Sequence, residues 1–258
     1  MSLLLPERPA KPRTVGKTMV IDNGMPTRQF ADVIESHGEH VDFVKFGWGT
    51  SVVTGHFAEK LDIVKAVGVD FYLGGTLFEK YLYQDRLDDF RQLLTGYGAR
   101  YVEVSNGTID LSDAEKVDFI KLLSDDFLVI SEVGSKDFER SEKMAPSRWI
   151  EYIRADLGAG AVLVTLETRE SGKGGMCRPS GELRVGLIED ILDSSIDPNS
   201  LLFEAPTTEL QNYFVRRLGP NVNLGNIALH DIISLETIRL GLRSETLLSF
   251  EGGVPAYF

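Results

Sequence analysis

Cysteine is almost missing from this chain. Cys177 stands alone among 258 residues, so neither an intramolecular disulfide nor a thiolate metal cage can form. Histidine is nearly as scarce: His37, His40, His56 and His230 fall in or beside helical patterns, without H-x-H or H-E-x-x-H spacing. A histidine zinc site or a histidine base is therefore not expected, and acid–base work passes to Lys or Glu. No apolar run approaches the roughly 18 residues of a membrane helix. Basic residues are outnumbered, 27 Lys and Arg against 39 Asp and Glu for a net charge of -12, which opposes binding to nucleic acid or an anionic membrane. No G-x-G-x-x-G or Walker loop is present, which argues against a nucleotide-binding open sheet. The opening MSLLLPERPAKPR has too short an apolar stretch and the wrong charge order for a signal peptide. Residues 1–17 are expected to form a loose arm, and the chain is expected to be cytoplasmic.

What is present is a repeated design. Eight β-type runs recur: Thr18–Ile21, Val41–Phe46, Asp70–Leu73, Arg100–Val104, Phe127–Glu132, a run opening at Ala161, Leu201–Glu204 and Asn221–Leu224. Each is followed by a helical pattern. PTRQFADVIESHG carries Pro26 at its start and Gly38 just past its end, the usual punctuation of a helix. FEKYLYQDRLDDFRQLLTGYG is one long amphipathic segment, and Ser112 with Glu115 has the spacing of a capping box. Strand then helix, eight times without a linker, predicts a parallel sheet closed into a single (β/α)8 TIM barrel over residues 18–258.

In such a barrel the chemistry sits where the strands end. Asp22, Glu103, Glu132, Glu167 and Glu204 all lie near strand ends. Several carboxylates gathered in one place need cations, because unpaired buried charge costs several kcal/mol. Lys45 inside an apolar strand, Lys136 after the fifth run, and Arg169 and Lys173 after the sixth can supply them. Oxygen donors without His or Cys suit Mg²⁺ better than zinc. The stretch Ser171–Gly175, SGKGG, is suited to wrap an anion with backbone N–H groups. Its Ser171 and Gly174, with Asn226 of NLGN, join Arg169 and Lys173 as candidate substrate-binding residues. Trp48 and Trp149 have no partner motif and are expected to be packing residues; Cys177, in a polar loop, is given no role.

DFVKFGWGTS, GGTLFE, SEVGSK, TRESGKGG, FEAP, NLGNI and ISLETIRLGLR together resemble the phosphosulfolactate synthase family, which includes plant heat-stress-associated homologues. The resemblance runs from about Thr18 to Arg243. It implies a carbon–sulfur lyase that adds sulfite to phosphoenolpyruvate with Mg²⁺, giving (2R)-phospho-3-sulfolactate on a route to sulfonates such as coenzyme M. It makes Lys136 the first candidate for the proton donor and Lys45 the second. It makes Glu103, Glu132 and Glu167 the candidate metal ligands. Small anionic substrates are the expected partners, and a homo-oligomer is compatible with the sequence. Met176, Cys177 and Pro179 depart from the plainer run expected in the sixth loop. A non-catalytic stress-associated role and another enolate-forming lyase or aldolase, with Lys45 as a Schiff-base lysine, are the alternatives.

Overall fold

The computed structural model describes residues 3–134, 143–251 and 254–255. Eight strands form one parallel sheet: β1 Thr18–Asp22, β2 Phe43–Phe46, β3 Asp70–Leu73, β4 Tyr101–Val104, β5 Leu128–Val133, β6 Ala161–Leu166, β7 Leu201–Glu204 and β8 Leu224–Ala228. Their order is β3-β2-β1-β8-β7-β6-β5-β4, so β3 and β4 meet at the closing edge of a single (β/α)8 barrel. Seven neighbouring pairs share parallel ladders. At the eighth junction the bridges are side chains, with Arg100 paired to Asp70 at 3.1 Å and the Gly75 N–H donating to Glu103 Oε2. A short antiparallel pair, Phe250–Glu251 with Val254–Pro255, follows the barrel.

Ten α-helices alternate with the strands among the described residues: α1 Thr27–His37, α2 Thr50–Val53, α3 Phe57–Ala66, α4 Gly75–Tyr83, α5 Leu87–Tyr97, α6 Asp113–Ser124, α7 Pro146–Ala159, α8 Val185–Leu192, α9 Thr208–Leu218 and α10 Ile232–Arg239. The capping box forms at α6, where Ser112 Oγ accepts from Glu115 N and the Glu115 side chain accepts from Ser112 N. The long segment expected before β4 is two helices. The chain breaks between them at Asp85, which takes a left-handed φ of 55°. No glycine or proline announces that break.

The eighth strand also lies later than expected, at Leu224–Ala228 rather than Asn221–Leu224. Gly225 suggests a turn, but its service here is space: a Cβ would stand 2.8 Å from Met19 Cε and 3.1 Å from Leu202 Cδ2. The strand therefore continues through it. Register between β1 and β8 slips by one residue, since Thr18 faces Leu224 while Val20 faces Ile227. Asn226, at φ 53°, lies in this bulge, a device that re-aims a side chain.

Alternation along each strand sorts the residues. Met19, Phe43, Tyr72, Ile130, Leu163 and Leu202 form an inner cluster that fills the barrel. Their neighbours Val20, Val44, Phe71, Val129, Val164 and Phe203 belong to the outer core beneath the helices. Lys45, Glu103, Glu132, Glu167 and Glu204 share the parity of the inner set. Asp22 does not: two residues beyond Val20, it faces the helices and pairs with the buried Lys60 of α3. It also accepts from the N–H groups of Gly24 and Met25 at 2.9 and 2.8 Å.

The segment before β1, expected to be loose, is tied down. Arg8 donates to Glu236 Oε1 at 2.9 Å, to Asn221 Oδ1 and to the Gly16 carbonyl, and Arg13 bridges to Asp42 at 3.4 Å. Among the described residues no helix is long and apolar enough to cross a membrane.

The Asp22–Lys60 pair yields a stability prediction. Asp22→Asn keeps the shape but strands a buried ammonium, so urea unfolding should show a loss of about 3–5 kcal/mol. Adding Lys60→Met should restore much of it. A fully stable Asp22→Asn single variant would contradict this account.

Candidate active site

The strands deliver their inward charges to one point. Lys45, third residue of β2, extends its ammonium to Glu103 Oε1 at 2.9 Å, Glu132 Oε2 at 3.3 Å and Glu204 Oε1 at 3.4 Å. All four side chains are buried. They form the floor of a cavity of about 420 Å³ whose walls include Ile21, Trp48, Gly74, Thr76, Thr108, Glu167, Arg169, Ser171 and Asn226. That size suits a small ligand, and the cavity lies at the strand ends, where barrels hold their chemistry.

The other contacts fix this arrangement. Glu103 gives its first oxygen to Lys45 and its second to the Gly75 N–H at the start of α4. Glu204 Oε2 accepts from the Thr168 N–H at 2.8 Å. The carbonyl of Glu132 accepts from Lys116 Nζ at 2.6 Å. Lys116 is in turn paired with Asp156 at 2.6 Å, and Ser131 donates to the same Asp156 oxygen at 2.7 Å. A second buried ion pair thus holds β5 from outside while Glu132 works inside.

Burial and crowding set the proton affinities. Burial alone would depress Lys45, but Glu103, Glu132 and Glu204 together raise it well above its ordinary value of 10.5. Burial pushes Glu103 up, against the pull of Lys45. Burial also drives Glu204 to about 8; Lys45 opposes this, and neighbouring Glu132 adds to it. Tyr72, paired in register with Lys45, is raised by burial and then by Glu103. Lys45, the second candidate for proton donor, therefore holds its proton more tightly than an ordinary lysine.

The loop after β6 is anchored rather than loose. Met176 and Cys177, the residues that departed from the expected run, are buried in the outer core. Met176 N donates to the Glu167 carbonyl at 2.8 Å, and Cys177 bridges to Leu183. The chain can return this closely only through Gly175, at φ 59°, because a Cβ there would fall 1.9 Å from Glu167 O. Cys177 is therefore a packing residue, its thiol pushed up by burial.

Of the expected site residues, Lys45, Glu103, Glu132, Glu167, Arg169, Ser171 and Asn226 meet at the cavity. Lys173 is exposed and Gly174 buried, and neither is on the cavity wall. Lys136 lies outside the described residues. Among those described, no group of three His, Cys, Asp or Glu side chains is set to hold a metal ion. Sequence reasoning gave Glu204 no role and left out Tyr72, whose strand position reads as plain core. Trp149 is core as expected, but Trp48 is not: it is 45% exposed and walls the cavity.

Fold and site together define a barrel of the enzyme type, with a charged pocket at the strand ends. Comparison with known proteins narrows this. The chain belongs to the (2R)-phospho-3-sulfolactate synthase (ComA) family, whose model matches residues 6–245. It is 49% identical over 245 residues to the phosphosulfolactate synthase of Bacillus subtilis (strain 168), covering 95% of this chain and 97% of that one. It is 40% identical over 248 residues to the phosphosulfolactate synthase of Methanothermobacter thermautotrophicus (strain Delta H), covering 95% and 96%. Among solved structures, the Amycolatopsis orientalis BexX/CysO complex aligns with TM-score 0.60 at 13% identity, over 96% of both chains. At that identity the likeness is one of fold.

The raised Glu204 carboxyl makes stability pH-dependent. The folded chain holds a proton up to about pH 8 that the unfolded chain releases near 4.5. Its contribution is therefore complete below 4.5, declines as pH rises, and is gone above about 8. Glu204→Gln is neutral throughout, so its melting temperature should gain on wild type steadily from pH 5 to pH 8.5. Parallel melting curves at every pH would refute the assignment.

Proposed function

We propose that this protein catalyses the addition of sulfite to phosphoenolpyruvate, with Mg²⁺, to give (2R)-phospho-3-sulfolactate. The supporting observation is a cavity of small-molecule size, with Lys45 on its floor and Arg169 at its wall, in a chain of this family. Both substrates are anions, and an acidic protein needs such concentrated cations to admit them.

In this reaction the sulfur lone pair forms a bond to the methylene carbon of phosphoenolpyruvate. The π electrons shift towards the carboxylate, and the phosphate-bearing carbon then takes a proton on one face. Arg169 neutralises a phosphate or sulfite oxygen at the wall. Lys45, kept protonated by the acidic side chains around it, supplies fixed positive charge without solvent reorganisation. The proton itself falls to Lys136, the candidate that its motif nominates.

The donor chemistry fits Mg²⁺. The cavity carboxylates are hard oxygen donors, and Mg²⁺ is usually held by one or two protein carboxylates together with water and substrate oxygens. Glu103, Glu132 and Glu167, which line the cavity together, are the side chains that would hold the ion. When bound, it supplies Lewis-acid stabilisation of charge on the substrate carboxylate.

Incubation with phosphoenolpyruvate, sulfite and Mg²⁺ should yield a sulfonated, phosphorylated three-carbon acid by mass spectrometry. Chelation should abolish turnover, and Mg²⁺ or Mn²⁺ should restore it; full activity in stripped protein would remove the metal from the scheme. For the proton donor, Lys136→Met should lower kcat by roughly 10²–10⁴-fold while phosphoenolpyruvate binding stays largely intact. A folded variant at wild-type kcat would exclude that lysine.

A further inference from the structure

We infer that Trp48 is a substrate-contacting residue, an indole that lies over the bound three-carbon acid and shields the reacting carbons from water; the inference rests on the proposed synthase activity. Trp48 follows β2 in the turn Gly47-Trp48-Gly49-Thr50, closed by Thr50 N donating to the Gly47 carbonyl at 3.0 Å. Its φ is 47°. A turn with positive φ at its second residue favours glycine there, and for a bulky side chain that conformation is strained. The chain has glycines on both sides of this position and places tryptophan at the one that most wants glycine.

Core packing does not explain the choice. The indole is 45% exposed, whereas Trp149 is fully buried. What Trp48 does touch is the cavity. In the strand order, β2 and β6 stand diametrically opposite. Trp48 therefore faces the Arg169–Ser171 wall across the mouth, an apolar side to a cavity otherwise rich in charge. A flat unsaturated acid can lay its π face against an indole while its anionic groups meet the cations. Water excluded by the ring cannot compete for those cations, which strengthens each charge interaction. The strain is retained because the ring acts on the ligand, not on the fold.

Stability and activity should then move in opposite directions. Trp48→Gly should melt at or above the wild-type temperature, since glycine adopts this φ freely. The same variant should lose about tenfold or more in kcat/KM, the scale of a lost aromatic contact, and Trp48→Phe should recover part of it. Phosphoenolpyruvate should also change tryptophan fluorescence in wild type but not in Trp48→Phe, where only the buried Trp149 reports. Wild-type kinetics in Trp48→Gly, or a lower melting temperature with unchanged fluorescence response, would overturn the inference. Failure of wild type to turn over would instead defeat the synthase proposal. The fluorescence titration would still decide Trp48's contact: a response confined to Trp48 supports it, and none refutes it.

Discussion

One ammonium group organises the interior of this molecule. Lys45 enters a barrel whose other inner residues are largely apolar, and it is tolerated because Glu103, Glu132 and Glu204 surround it. The dependence is mutual. Without the cation, Glu103 and Glu132 would be driven to take up protons, as Glu204 already does below about pH 8, or to draw in water; without the acids, Lys45 would shed its own proton to escape burial. Strands β2, β4, β5 and β7 are thereby held to a common point by charge as well as by backbone ladders. A ligand arriving here meets a field already set.

The same chemistry recurs on the opposite side of the sheet with a different outcome. Lys60 of α3 with Asp22 at the end of β1, and Lys116 of α6 with Asp156 of α7 against β5, are buried pairs on the helix side. Each is one cation against one carboxylate, closed off from the cavity, so it fastens a strand without offering a reactive centre. The central cluster carries more acid than base and opens to a cavity. Excess charge and access, rather than burial as such, separate a site from a fastening.

Most of the architecture could be read from periodicity, because eight apolar runs with helical spacers leave few alternatives. Strand-end carboxylates were visible too, but not how they divide. Asp22 and Glu204 look alike in the chain; counting by twos from Met19 and Leu202 puts one outward and the other inward, and that parity was the available signal. Gly225 misled in a different way, since a glycine chosen for interstrand clearance looks the same as one chosen for a turn. The break at Asp85 had no local marker at all. Long-range relations account for what stayed hidden: Lys45's raised proton affinity depends on three other strands, and Trp48's position on a fold that sets β2 across from β6. Lys136 falls outside the described residues.

The junction between β3 and β4 gives the ring a weak direction. Elsewhere the circumference is sewn by peptide hydrogen bonds, which are indifferent to what the cavity holds. Here the closure runs through side chains, from Arg100 to Asp70 and from the amide of Gly75 to the Glu103 carboxylate, and that carboxylate also answers to Lys45. A molecule that draws Lys45 away therefore acts on Glu103, a residue that belongs both to the electrostatic floor and to one of the contacts across this seam.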